Sequence, residues 1–281
     1  MKNLGYYNGT IDLIENITVP MNDRACYFGD GLFEVTYTRN HIAYSVEEHM
    51  DRMYAAAEEL DIRIPLCKGE FAALLRSLVK QVDDGEQWVY WQVSRGTELR
   101  NYIPASEGDA NVWIMIRPMP IKDSYIPMRA ITLPDTRSLW CNMKTLNLLP
   151  TVMASRRVAA AGVDEGVLHR DGRVTECIHA NLSILRADGV LQTAPADQWI
   201  LAGVARGHLL RFAKALGIAV EEKPFSLEEL MAAEEIIVTS SGTLCRPICE
   251  IDGIPVGGKA PKTLKALQDA LTADFLEKTE G

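Results

Sequence analysis

Apolar residues recur along this chain at spacings that separate helices from strands. In the stretch 46–60 (VEEHMDRMYAAAEEL), Val46, Met50, Met53, Ala57 and Leu60 return every three or four residues and build one apolar stripe. A second helix is predicted over about 69–82, with Phe71, Leu74, Leu75 and Leu78 on its buried side. Short apolar runs predict strands at 32–38 (LFEVTYT), 88–94 (WVYWQVS) and 111–117 (NVWIMIR). Residues 118–128 (PMPIKDSYIPM) carry three prolines and little periodicity, and read as a linker. Beyond it, strands predicted at 128–133, 166–170, 181–186 and 234–240 alternate with helices at 149–161, 204–216, 226–232 and 261–277. Gly162 and Gly217 stand just past two of those helix ends, where glycine is favoured.

The pattern predicts two domains. A small α+β domain spans 1–119, a linker and the start of the next domain cover 120–133, and a larger α/β domain covers 134–281. A chain of 281 residues is long for one core and comfortable for two. Hydrophobic residues at 47% and charged residues at 24% make an ordinary globular balance, so disorder is expected only at the ends. The net charge is −9 with no Lys/Arg run, which argues against a nucleic-acid partner. None of the six cysteines forms a CxxC pair, and no histidine follows Cys245 and Cys249 at zinc-finger spacing. No metal is expected, and reduced thiols suit a cytoplasmic enzyme. The N-terminal MKNLGYYNGTIDLIEN lacks an apolar core for a signal peptide, and runs such as 236–238 are too short to span a bilayer.

Five segments offer chemistry. Lys144 sits among Met143, Leu146, Leu148 and Leu149, and apolar surroundings weaken an amine's preference for the charged form, as an imine-forming lysine requires. Glu176, in GRVTECIHANL (172–182), is a candidate partner for a pyridine nitrogen, which stays protonated only beside a carboxylate. In LAGVARGHLLRFAKALG (201–217) a glycine leads into a helix whose first amides, on Val204 and Ala205, suit a phosphate. In IIVTSSGT (236–243) a buried strand runs into Ser240, Ser241, Gly242 and Thr243, whose hydroxyls and amides can hold an anion. Arg52 lies beside the apolar stripe of 46–60, with His49 on the same side, and a partly buried arginine needs an anion. Each segment alone also has an ordinary reading. These are a surface lysine, an exposed strand-edge glutamate, a plain helix start, a polar turn, and an ion pair of Arg52 with Asp51 or Glu48.

In this order the five segments resemble the fold-type IV pyridoxal-phosphate enzymes, and most closely the D-amino-acid aminotransferases. That group also includes branched-chain aminotransferases and aminodeoxychorismate lyases. EEHMDRMYAAAE, KTLNLL, LHRDGRVTE and LAGVARG carry the likeness, which runs from 23–35 to 249–256. The resemblance implies a two-domain fold with a small N-terminal α+β domain and a larger domain that binds pyridoxal 5'-phosphate. It implies transamination between amino acids and 2-oxo acids, D-alanine with 2-oxoglutarate or pyruvate among them. It assigns Lys144 to hold the cofactor and shuttle a proton, and Glu176 to pair with the ring nitrogen. Arg52, Val204, Ala205 and Ser241 would bind the phosphate, Leu201 would pack on the ring, and Arg137 would support the site. Phe33, Val35, Tyr90, Ser240 and Gly242 would line the substrate side. Arg100, with Tyr102 near it, would reach across a homodimer interface to the substrate carboxylate.

Three positions depart from the D-specific pattern. Phe33 stands where those enzymes usually have tyrosine and branched-chain enzymes have phenylalanine. Tyr102 replaces the histidine of an Arg-x-His pattern, and Tyr37 stands where a lysine is common. The shared segments imply the reaction class, while the hand of the substrate depends on the positions that differ. A branched-chain L-amino-acid aminotransferase and an aminodeoxychorismate lyase, a step of 4-aminobenzoate synthesis, are the alternatives. His179 is also unusual for the group; it would face the substrate or be bonded to the backbone of its own loop.

Overall fold

Burial alternates along the early strands, and that alternation builds a sheet with one face against helices. The computed structural model describes residues 1–104 and 108–281. Its first unit comprises Met1–Ile121, Met143–Asn147 and Phe275–Gly281. Strands β1 (Leu4–Tyr7), β2 (Thr10–Asp12), β3 (Gly31–Arg39), β4 (Ile42–Ala43), β5 (Gln87–Ser94) and β6 (Asn111–Pro118) form an antiparallel sheet in the order β2-β1-β6-β5-β3-β4. Helices α1 (Arg24–Phe28), α2 (Val46–Glu59) and α3 (Lys68–Val79) complete the unit.

Val46, Met50, Met53 and Ala57 of α2 and Phe71, Leu75 and Leu78 of α3 bury their stripes in one core with Leu32, Val89, Trp91 and Ile114. On the other face Phe33, Val35, Tyr37, Trp88 and Tyr90 are half-buried. The register fixes them as neighbours, with Val35 opposite Tyr90 and Tyr37 opposite Trp88. Helix α3 ends three residues before the predicted 82. The chain beyond it pairs instead with the N-terminus, where the Met1 amine donates to Gln81 O at 2.7 Å and Asp83 N donates to Met1 O at 3.0 Å.

Two segments expected in the second domain lie in this first unit. Met143–Asn147 runs along β3, with Phe33 N donating to Lys144 O at 2.9 Å and Leu146 N to Gly31 O at 3.0 Å. In Phe275–Gly281, the Phe275 ring meets Tyr44 edge-on at 5.2 Å, and Asn40 Nδ2 donates to Thr279 O at 3.0 Å. Backbone pairing of this kind leaves no trace in hydrophobic periodicity.

The second unit comprises Lys122–Asn142 and Leu148–Asp274. Its sheet takes β7 (Met128–Pro134), β8 (Glu165–Arg170), β9 (Arg173–Cys177), β10 (Asn181–Leu185), β11 (Leu191–Thr193), β12 (Val220–Glu222), β13 (Glu235–Thr239) and β14 (Arg246–Ile251), with β15 (Ile254–Pro255) paired to β14. The order is β12-β11-β10-β13-β14-β7-β8-β9, and the pairs β7–β8, β7–β14 and β11–β12 are parallel. Strands β10 and β13 are buried throughout, and β13 carries the apolar run of residues 236–238. Helices α4 (Leu149–Ala161), α5 (Val204–Ala215) and α6 (Leu227–Ala232) belong here, as does most of α7 (Pro261–Lys278). Gly162 caps α4 in the left-handed region at φ 66°. Among the described residues no helix is long and apolar enough to cross a membrane.

Candidate active site

Lys144 is half-buried on the first unit, and its backbone carbonyl is pinned to β3, as is Leu146 N two residues on. Its Nζ lies 4.2 Å from the centroid of the Phe33 ring. Phe33 stacks on Tyr90 at 5.6 Å and Tyr90 on Trp88 at 5.4 Å, so the amine sits at one end of an aromatic row. Burial pushes the Tyr90 phenol above its ordinary range, and the neutral hydroxyl donates to Gln92 Oε1 at 2.6 Å. Val35 lies on this face.

The opposite face of β3 carries an ion cluster that sequence reading missed. Arg52 donates to Glu34 through Nε at 2.7 Å and Nη2 at 2.6 Å, and His49 Nδ1 lies 2.7 Å from Glu34 Oε2. Glu34 is thus a partner of Arg52 that the ordinary reading did not name, while Asp51 pairs with Lys68 at 2.7 Å. A signal was present. Glu34 shares the core-facing side of a predicted strand with Leu32 and Thr36, and a charge there requires a buried counter-charge.

Burial opposes ionisation of Glu34, but Arg52 and then His49 outweigh it and hold the carboxyl at about 2. Unfolded, this group titrates near 4.5, so its stabilisation is complete above that pH and is lost as pH falls towards about 2. Burial holds His49 below its ordinary 6.5, so protonation of the unfolded chain also removes stability as pH drops. Chemical unfolding measured across that acid window should lose stability steeply in the native protein and less steeply in Glu34→Gln. Equal slopes would show that Glu34 does not carry the effect.

Arg100 is exposed, and its guanidinium lies 5.0 Å from the Phe28 ring and 5.2 Å from the Tyr102 ring. Tyr102 is 77% exposed and Leu99 86%, so this loop presents large apolar groups to solvent.

Glu176 lies on β9 in the second unit and is only 5% exposed, which replaces the reading of an exposed strand-edge residue. Arg137 Nη1 donates to its Oε1. Its Oε2 accepts from Asn181 Nδ2 at 2.8 Å and from Leu201 N at 3.3 Å. Asn181 also donates to Leu201 O at 2.8 Å, which ties the approach to α5 to the carboxylate. Gly203 caps α5 without a side-chain bond, and no acidic residue lies in the first turn. The amides of Val204 and Ala205 open that helix, and a Cβ on Gly203 would collide with Asn181 Oδ1. Asn181, opening a strand five residues after Glu176, was visible in the sequence but was given no role.

Behind Glu176, Asp135 takes the fork of Arg137, and sequence reading missed it too. Burial works against ionisation of Asp135, but the hydrogen bonds and charge of Arg137 outweigh it and hold the carboxyl below its ordinary range. The available signal was an aspartate two residues before Arg137, a spacing at which its carboxylate can take the Arg137 backbone N–H, as it does here at 3.0 Å.

In the turn after β13, Ser240 Oγ lies 2.8 Å from Thr243 Oγ1, and Gly242 O accepts from Lys122 N at 2.9 Å. Ser241 beside them is half-buried. His179 departs from the backbone-bonded alternative. Its Nε2 lies 3.0 Å from Ser155 Oγ and its Nδ1 3.6 Å from Glu165 Oε2, which links it to α4 and β8.

Residues 31–251 match the family described as Amino-transferase class IV. The chain is 37% identical over 261 residues to the D-alanine aminotransferase of Listeria monocytogenes serotype 4b, covering 90% of each. It is 33% identical over 276 residues to the D-alanine aminotransferase of Bacillus licheniformis, covering 97% of each. The crystal structure of the branched-chain amino acid aminotransferase of Escherichia coli matches with a TM-score of 0.88 at 23% identity, over 100% of this chain and 97% of that one, and so shows the same fold.

Proposed function

This chain belongs to the class IV aminotransferases, two-domain enzymes of fold type IV that use pyridoxal 5'-phosphate, and from that premise we propose that it transfers amino groups between D-amino acids, D-alanine among them, and 2-oxo acids such as 2-oxoglutarate or pyruvate. The observation that carries the site reading is the buried Glu176 carboxylate, bonded to the same segment that leads into the uncapped start of α5.

The donor set fits the cofactor. An anionic carboxylate suits a protonated ring nitrogen, and a helix start without side-chain cap or acidic residue suits a phosphate. When bound, the cofactor supplies an electron sink for the bond broken at the substrate Cα. Lys144 would hold the cofactor through its amine and would move the Cα proton. Glu176 keeps a proton at the ring nitrogen. The amides of Val204 and Ala205 would hold the phosphate, with Ser241 and Arg52 as its further candidate ligands. Leu201 would pack on the ring. Phe33, Val35, Tyr90, Ser240 and Gly242 line the substrate side.

Arg100 and Tyr102 act across a homodimer interface, where Arg100 grips the substrate carboxylate; the exposed apolar residues of this loop support that reading. All six thiols are free, which suits a reducing compartment and a cytoplasmic enzyme.

Phe33 supports a second reading, an aminotransferase of branched-chain L-amino acids. Its ring beside Lys144 makes the approach to the amine apolar. The half-reaction with D-alanine or L-leucine, followed by the absorbance of the cofactor, decides between them. D-alanine should react faster by at least about tenfold. Faster reaction of L-leucine would favour the second reading, and pyruvate release from aminodeoxychorismate would reveal a lyase.

A further inference from the structure

Arg137 divides its donors unequally between two buried carboxylates. Asp135 Oδ1 accepts from Arg137 N and Nε, both at 3.0 Å, and Asp135 Oδ2 accepts from Nη2 at 2.9 Å. Glu176 accepts from Nη1. The guanidinium therefore meets Asp135 fork to fork, the stronger geometry, and Glu176 end on. Nη2 also reaches Trp199 O at 3.2 Å.

Asp135 is itself locked in place. Thr175 Oγ1 donates to Oδ2 at 3.0 Å, and Arg170 Nε lies 3.3 Å from the same oxygen. Arg170 lies 4.1 Å over the Trp199 ring and donates to Arg137 O at 2.8 Å, so it is fixed as well. The cluster holds two carboxylates and two guanidiniums. Without the Asp135 charge, the Arg137 guanidinium would no longer be shared between two carboxylates. The fork of Arg137 would also be released to engage Glu176 with two donors.

We propose that Asp135 is a positioning residue that occupies the fork of Arg137, confines this guanidinium to one N–H on Glu176, and so preserves the Glu176 charge for the cofactor's ring nitrogen. The proposal rests on the reading of Glu176 as the partner of that nitrogen. Asp135 touches neither substrate nor cofactor in this account; it acts through Arg137.

The test uses holoenzyme loaded with cofactor labelled with ¹⁵N in the ring, whose NMR signal reports protonation. Glu176→Gln should move the signal to the unprotonated position. Asp135→Asn should move it part of the way in the same direction. The same variant should lower kcat for D-alanine by about tenfold with little change in KM, the size expected of a residue that orients a reacting group from behind. It should also enlarge the isotope effect of Cα-deuterated substrate, which a loss of stability alone would not do.

A wild-type nitrogen signal in Asp135→Asn, even with a lower Tm, overturns the proposal. If Glu176→Gln also leaves the signal unmoved, the assignment of Glu176 itself fails. Should Asp135→Asn not fold, Asp135→Glu serves, because its longer arm keeps the charge but shifts the fork. An intermediate nitrogen signal then supports the proposal and a wild-type signal overturns it.

Discussion

Replacing Lys144 with alanine is expected to lower turnover by roughly 10²–10⁴-fold, the range lost with a positioned acid–base group. The amine has two duties in the proposed reaction, holding the cofactor and carrying the Cα proton. Its place is set by backbone bonds to β3 at Lys144 O and Leu146 N and by the Phe33 ring 4.2 Å from Nζ. An alanine there keeps those backbone bonds, so the fold should survive while the chemistry does not. Two measurements check this. Stopped-flow half-reactions with D-alanine read the rate. Borohydride reduction and peptide mapping should label the Lys144 peptide in the native protein and leave the variant peptide unlabelled. Near-normal rates in Lys144→Ala would remove the basis of the assignment.

The second large effect is on stability. Glu34→Ala is expected to cost about 3–5 kcal/mol, because breaking a buried ion pair leaves its partner's charge uncompensated. The Glu34 side chain is 1% exposed, against 14% for Arg52 and 2% for His49. A guanidinium so enclosed has little access to water as a substitute partner. The thermal midpoint of the protein should fall by roughly 10 °C. A loss below about 1 kcal/mol, the scale of an exposed pair, would show that the cluster relaxes into solvent. Because Arg52 is also proposed to hold phosphate, cofactor retention should weaken in the same variant.

The helices illustrate what was legible in the chain. The stripe from Val46 to Ala57 and the Gly162 stop define α2 and α4, since both signals act within a turn or two of the backbone. Long strands such as β3, β5 and β6 were equally plain. The short strands β9, β11, β12 and β15, of two to five residues, were not. Such segments are extended because a neighbour pairs with them, not because of their own composition.

The site divided in the same way. Lys144, Glu176 and the Gly203–Val204–Ala205 helix start stood out because each has the residue type that its chemistry demands, in an order shared with a known family. Glu34 and Asp135 passed unnoticed, since a carboxylate in a sequence does not announce its partner.

By itself, then, the amino-acid order determined the helical stripes and stops, the longer strands, and the segments that mark the family. Only the tertiary structure decided that the lysine segment pairs with β3, that Glu34 holds Arg52 across 18 residues, and that Arg137 bridges to Glu176 across 39. Periodicity and capping are local and survive in a one-dimensional reading. The strength of an ion pair depends on distance and on exclusion of water, and both exist only once the chain has folded back on itself.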